Sequence, residues 1–308
     1  MKMNNKITHK EIEKVLGFSL NNDLKNIVDS YDLEYRSLSN EEYESYLLHV
    51  IDVLTSDITF SGKHRLTEWE NGWTENLEEF KKSSSIENLI PKYHGKNRIL
   101  RWNGNVVMPI TENFDYKLHI SFVDAVLQHY LKKFNTDNVF EFGCGPGYHL
   151  IRLSAYDRNL KLFGSDWTSS SQDIINNINN KLNLSITPFK FNFFEPDYNV
   201  HIPDNSAVYT VAALEQVGPD YVDFVDFLLK KKPSVCIHLE PIDELLDEKK
   251  VLDFLSIKYF RKRKYLKGFL PYLESLEKEG KIEIIRKDRT MNGSYFIEGH
   301  SLVVWRPL

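Results

Sequence analysis

Glu141-Phe142-Gly143-Cys144-Gly145-Pro146-Gly147 follows the apolar pair Val139-Phe140 and leads into a helix expected to start near Gly147. Glycines at alternate positions let a backbone turn tightly and approach a ligand closely, since no Cβ stands in the way. A strand handing over to a helix through such a loop marks the first turn of a ligand-binding βα unit. Downstream the pattern repeats. Leu160 to Gly164 precedes a helical segment at 171–182, and Ile186–Phe191, Ala207–Ala212 and Ser234–Leu239 read as further strands. Between Pro219 and Lys230 a helix carries Asp220, Asp223 and Asp226 early and Lys230 to Lys232 at its end, the order that suits the helix dipole. A long helical region at 244–279 comes before two closing strands, Ile282–Ile285 and Ser301–Trp305. No helix separates those two, so the last one is expected to return antiparallel. The reading is an α/β fold: a doubly wound, mostly parallel seven-stranded sheet with an antiparallel last strand, taking ligands at the carboxyl ends of its strands.

Upstream, apolar residues recur at helical spacing. Thr8-His9-Lys10-Glu11 reads as a capping box opening a helix with Ile12, Val15 and Leu16. Asn40 is placed to cap a helix bearing Tyr43, Tyr46, Leu47, Val50 and Leu54, and Trp69, Trp73, Leu77 and Phe80 repeat the stripe. Ser121 is expected to cap a helix running through Val123, Val126, Leu127, Tyr130, Leu131 and Phe134. Residues 1–90 therefore read as a helical N-terminal layer without β content. Residues 91–308 form the α/β domain, with its core over 115–308.

The chain has 308 residues, 42% hydrophobic and 27% charged, enough for a large core that needs no staple. Lys plus Arg number 39 against 44 Asp plus Glu, a net charge of −5 that argues against a nucleic-acid-coating protein. Cys144 and Cys236 fit neither a disulfide framework nor a zinc spacing, and no metal site is expected. The first residues lack the apolar run of a signal peptide, and no run nears the ~20 residues of a membrane span. A cytoplasmic protein is expected, and a homodimer through the N-terminal layer is compatible with the sequence.

Several residues beyond the glycines fall where ligand chemistry is needed. Asp166 ends the second strand, about twenty residues past the glycine loop, where a carboxylate accepts both hydroxyls of a ribose. Trp167 offers an aromatic face for an adenine ring. Asn192, beside Phe193 after the third strand, is placed to read the adenine edge. Ala213-Leu214-Glu215-Gln216-Val217 follows the fourth strand.

Together these stretches resemble the class I S-adenosylmethionine-dependent methyltransferases. An acidic residue leading a Gly-x-Gly-x-Gly loop matches Glu141 to Gly147, and an acidic residue ending strand two matches Asp166. A polar residue after strand three matches Asn192. A Leu-Glu-His-like stretch after strand four is similar to Leu214-Glu215-Gln216, with Gln216 departing from the usual His. The resemblance covers about residues 115–308. It implies S-adenosylmethionine as cofactor, with Gly143, Gly145 and Gly147 along its methionine portion and Asp166 on its ribose. The rival is a dinucleotide-binding dehydrogenase, whose fingerprint needs a glycine where Tyr148 stands and whose pyrophosphate Glu141 would repel.

The acceptor is read as a small polar molecule, with O-methylation of a sugar or sugar-nucleotide in polysaccharide tailoring preferred. N-methylation of a small amine is the alternative within catalysis. A non-catalytic cofactor-binding interaction protein is the alternative outside it. A hydroxyl acceptor needs a base. Glu215, His238 and Glu240, just after or near the ends of strands four and five, are the candidates, with His238 favoured, Glu240 orienting it, and His119 and His149 as fallbacks. Arg261-Lys262-Arg263-Lys264 reads either as a solvated helix face or as an anion site. Tyr93, His94, Arg98, Arg101, Trp102, Phe114 and Tyr116 read either as a lid or as packing between the layers.

Overall fold

A computed structural model describes residues 4–95 and 99–308. The chain opens with β1 (Asn5–Ile7), α1 (His9–Leu16), α2 (Asn22–Ser30), β2 (Leu33–Ser37), α3 (Asn40–Thr55) and α4 (Leu66–Ser83). A hairpin of β3 (Leu100–Trp102) and β4 (Asn105–Pro109) leads to α5 (Phe114–Phe134). The expected alternation follows: β5 (Asn138–Phe142), α6 (Tyr148–Tyr156), β6 (Lys161–Asp166), α7 (Ser169–Leu182), β7 (Thr187–Lys190), β8 (Ser206–Val211), α8 (Val222–Lys231) and β9 (Val235–Glu240). The chain closes with α9 (Val251–Arg263), α10 (Phe269–Lys278), β10 (Ile282–Asp288), β11 (Asn292–Gly293) and β12 (Ser301–Pro307).

The main sheet has seven strands in the order β10-β12-β9-β8-β5-β6-β7. β5, β6, β7, β8 and β9 run parallel, and β12 lies antiparallel between β9 and β10. Every residue of β5, β8 and β9 is buried, as central strands covered by helices on both faces require. The chain winds outward from β5 to β7 and then returns to β8 on the other side. The glycine loop after β5 therefore stands at the crevice where the winding reverses.

The N-terminal region is not the all-helical layer its periodicity suggests. β1 and β2 join β4, β3 and β11 in a second, five-stranded sheet of order β1-β2-β4-β3-β11. These strands are two to five residues long, and β2 buries only Leu33, so no alternation announces them. Their partners come from distant sequence, Tyr35 against Pro109 and Trp102 against Asn292. Two helix starts also move. Ser39 rather than Asn40 caps α3, completing a capping box with Glu42. α5 begins at Phe114, seven residues before Ser121, whose hydroxyl donates back to Lys117 O at 2.7 Å, the usual outlet for a mid-helix serine. The capping box at Thr8 is present.

α4 is fastened to the main sheet's helices at both ends. Glu70 accepts from the backbone N–H groups of Ser169 and Ser170 at 2.8 and 2.7 Å, satisfying the start of α7 from outside. Lys181 near the end of α7 donates to Phe80 O and Lys81 O at 2.9 and 2.7 Å. Trp73, Leu77 and Phe80 belong to the same buried cluster as Val139, Leu150 and Ile175 around the sheet. The basic run is divided among local partners: Lys262 donates to Leu54 O, Arg263 to Thr59 O, Arg261 pairs with Glu248, and Lys264 lies 3.8 Å over Phe60. Most of it ties the α3–α4 connection to the end of α9. Among the described residues no helix is long and apolar enough to cross a membrane.

Because Phe80 is wholly buried in this shared cluster, Phe80→Ala should lower the stability of the whole chain by ~3–5 kcal/mol. Urea unfolding should retain one transition. Two separate transitions, with only one shifted, would contradict a shared core.

Candidate functional site

At the carboxyl edge of the main sheet lies a cavity of about 650 Å³. That is the size of sites that hold small molecules or cofactors, roughly 300–1,000 Å³. The glycine loop forms part of its floor. Gly143 and Gly145 adopt φ of 76° and 49°, and a Cβ on Gly143 would lie 2.4 Å from Cβ of Ala213. On Gly145 it would lie 2.8 Å from the Trp73 indole. Gly143 and Cys144 donate their N–H groups to Ser165 O, both at 2.8 Å, which pins the loop to the end of β6. Gly147 is the exception among the glycines: it starts α6, faces Ile175 and lies off the cavity wall.

Asp166 is buried beside the loop and lines the cavity. One of its oxygens accepts from Thr168 N and Oγ1, and the other from Gly145 N at 3.1 Å. The backbone N–H of Trp167 also acts on it. Burial raises its pKa, and these donors oppose the rise. Trp167, Asn192 and Phe193 line the same end of the cavity. Asn192 Oδ1 accepts from Phe194 N at 3.1 Å, and the Phe193 ring stands edge-on to Phe224.

Glu141, at the end of β5, also lines the cavity and is 2% exposed. Its Oε1 pairs with His149 Nδ1 at 2.8 Å, and its Oε2 accepts from the Tyr209 hydroxyl at 2.9 Å. Glu215, in the turn after β8, faces the cavity from the other side. It accepts from Gln216 Nε2 at 2.8 Å, and Gln216 Oε1 accepts from Arg65 at 2.7 Å. Burial and the neighbouring Glu240 push the Glu215 pKa up to about 8, against the pull of Gln216, Arg263 and Arg65.

His238 and Glu240 do not form the expected base pair. They share a face of β9, but both lie off the cavity wall and are 0% exposed. The His238 ring stands edge-on to Phe269 and lies parallel to Trp305; its Nδ1 meets Thr210 Oγ1 at 2.9 Å. Burial alone pushes its pKa down to about 3. The face of β9 that carries it looks onto apolar side chains, and the crevice opens only beyond the strand's end. Glu240 instead accepts from the backbone N–H groups of Ala213, Leu214 and Glu215 at 3.0–3.1 Å, so it anchors the turn that presents Glu215.

The cavity also draws on Trp69 and Trp73, which the sequence read only as core, on His300, which it did not single out, and on several of the lid and fallback candidates. Trp69 and Trp73 of α4 stack 5.5 Å apart, with the Arg65 guanidinium 4.9 Å over Trp69, forming a roof across from the glycine loop. The Trp69 Nε1 is buried without a partner. Tyr93, about half-exposed, also lines the cavity. His94, His119, His149 and His300 gather at one corner, with His119 lying 5.4, 5.6 and 4.7 Å from the other three rings. Tyr116 lies in this wall as well, whereas Arg101 turns away to donate to Leu252 O and Phe296 O; Arg98 lies outside the described residues. Among the described residues no group of three or more His, Cys, Asp or Glu is arranged to hold a metal ion.

No protein-family model matches the sequence, and a search of curated proteins returns no match. Among solved structures the chain is similar to magnesium protoporphyrin IX methyltransferase (ChlM) from Synechocystis PCC 6803 with bound SAH. The two share 13% identity over 75% of this chain and 97% of that one, at a TM-score of 0.48. The O-methyltransferase NcsB1 from neocarzinostatin biosynthesis shares 14% identity over 79% and 70% of the two chains, at 0.42. The methyltransferase domain of bacterial CtHen1-C shares 18% over 59% and 94%, at 0.43.

A buried acid whose pKa is raised in the fold keeps a proton that the unfolded chain has lost. Its contribution therefore favours folding below the unfolded value and is lost as pH rises toward the folded one. For Glu215 that window runs from about 4.5 to about 8. Stability of the wild type should fall relative to Glu215→Gln across it, by at most about 1.4 kcal/mol per pH unit. Chemical denaturation at pH 5, 6.5 and 8 checks this, and parallel curves for the two proteins would refute it.

Proposed function

We propose that the protein is an S-adenosylmethionine-dependent methyltransferase that methylates a hydroxyl oxygen on a sugar or sugar-nucleotide. The observation that carries this reading is one continuous cavity joining the Gly143–Gly145 cradle, Asp166, Asn192 and Glu215 at the switch point of the sheet. The fit to the cofactor is supported by a glycine loop that lines the cavity and by the buried Asp166 carboxylate that lines it beside the loop at the end of β6. Asp166 would hold the ribose, Trp167, Asn192 and Phe193 would bound the adenine, and Gly143 would let the methionine portion lie against the β5 turn. When bound, the cofactor supplies an electrophilic methyl group on a sulfonium, and the C–S bonding pair stays with sulfur on transfer. Glu141 and Glu215 put two carboxyl groups near that cationic centre, where a pyrophosphate would be repelled. A positive charge there would also draw Glu215 back toward its ionised form.

The preference for a sugar-type acceptor rests on the chemistry of the remaining wall. Tyr93, Tyr265 and Tyr295 offer ring faces, while Arg263, Asn292 and His300 offer polar groups between them. Aromatic faces with interspersed hydrogen-bonding groups suit a compact polyhydroxylated molecule. Positioning acceptor and methyl donor together in this enclosed space supplies much of the rate.

Calorimetric titration with S-adenosylhomocysteine (SAH) tests the cofactor assignment. Wild type should bind. Gly145→Val should push a side chain against Trp73 and into the cavity, and Asp166→Ala should remove the ribose acceptor; each should weaken binding at least about tenfold while circular dichroism stays native. Wild-type affinity in both variants would overturn the assignment. Incubation with labelled S-adenosylmethionine and a panel of nucleotide sugars and amines then separates oxygen from nitrogen acceptors.

A further inference from the structure

The cavity has a second end. Asp166 closes β6, whereas His300 directly precedes β12, which lies four strand positions away through β5, β8 and β9. At ~4.8 Å per strand that separation is about 19 Å. A cofactor anchored at Asp166 and crossing the glycine loop leaves this far end open for the acceptor. His149, His119 and His300 run along its wall in a row, with ring centres 5.6 and 4.7 Å apart. The row starts at Glu141 over β5 and ends at His300, whose buried Nδ1 has no partner.

We propose that His149, held by Glu141, is the base that takes the acceptor's proton, with His119 and His300 forming the wall against which the acceptor hydroxyl lies. The inference rests on the methyltransferase reading and names a catalytic residue within it. Three observations single out His149 from its neighbours. It is the member of the row paired with a buried carboxylate at hydrogen-bond distance, and that carboxylate is itself fixed by Tyr209. With Nδ1–H given to Glu141, Nε2 is left as an acceptor; a base held by a third group is the usual arrangement for proton abstraction. His149 also stands two residues past the glycine loop, the closest of the four to the cofactor's turn in sequence. His94 has a comparable partner in Asp115, but at 3.3 Å, on an oxygen already accepting from Gly95 N at 2.7 Å. Burial, and after it His94 and His149, push the pKa of both His119 and His300 down, so they suit hydrogen bonding to an uncharged hydroxyl.

In the step itself the acceptor's O–H bond breaks and its proton passes to Nε2 of His149. The pair left on oxygen forms the new bond to the methyl carbon. The imidazolium stays paired with Glu141 until water removes the proton.

The test needs no acceptor. Sinefungin carries an amine-bearing carbon in place of the methylated sulfur, so its ammonium stands where the methyl group would be, within one water of a base at this site. Calorimetry on the full chain compares sinefungin with SAH in wild type and His149→Phe. Wild type should prefer sinefungin, and the variant should lose about fivefold to tenfold of that preference while SAH affinity stays within about twofold. A preference unchanged in the variant overturns the base assignment. Equal loss of both ligands also overturns it, marking His149 as part of the cofactor's seat. Failure of wild type to bind either ligand would instead bring down the methyltransferase reading beneath it.

Discussion

The carboxyl edge of the sheet depends on how closely two side chains press on the backbone of residues 143–145. Ala213, arriving from β8, and Trp73, arriving from α4, stand where a Cβ on Gly143 or Gly145 would have to go. Those contacts bring three segments widely separated in sequence to one point, and each segment is held there by its own anchor. Glu240 fixes the Ala213 turn by three backbone hydrogen bonds, Ser165 O fixes the glycine loop, and Glu70 with Lys181 fixes α4 to α7. The cavity is what remains between segments so fixed.

Much of the α/β half was legible because its strands lie in a regular alternation with helices. β5, β8 and β9 are mostly apolar strands of five or six residues, β6 carries the shorter apolar stretch Leu162-Phe163, and the missing helix before Ser301 revealed the antiparallel return. The second sheet was hidden for a physical reason. β1, β2, β3 and β11 are too short to show a period of two, and β11 consists of Asn292 and Gly293, residues that ordinarily signal a turn. A partnership such as Trp102 with Asn292 is a tertiary fact with no local signature.

The candidate site divides in the same way. Gly143, Gly145, Asp166, Trp167, Asn192, Phe193, Glu141 and Glu215 were placed by spacing and do line one cavity. His238 and Glu240 were misread because alternation along a strand tells which residues share a face, not what that face meets. Here it meets Phe269 and Trp305, so His238 is sealed in apolar surroundings and Glu240 serves the backbone of the next turn. Trp69 and Trp73 carried a signal with two meanings: the stripe read as core is core, and its edge also roofs the cavity. His94, His119 and His149 were each singled out in the sequence, but their gathering with His300 had no readable signal, since His119 comes from mid-helix, His149 from the start of α6 and His300 from a connection folded onto the second sheet.

An enclosed site with two tryptophans in its roof and a third, Trp167, in its wall should report its own occupancy. The most direct measurement is the intrinsic tryptophan fluorescence of the full chain during titration with SAH. The account predicts a saturable change in emission that shrinks in Trp73→Phe. Emission that stays constant up to millimolar SAH would contradict the claim that this cavity is the cofactor's seat.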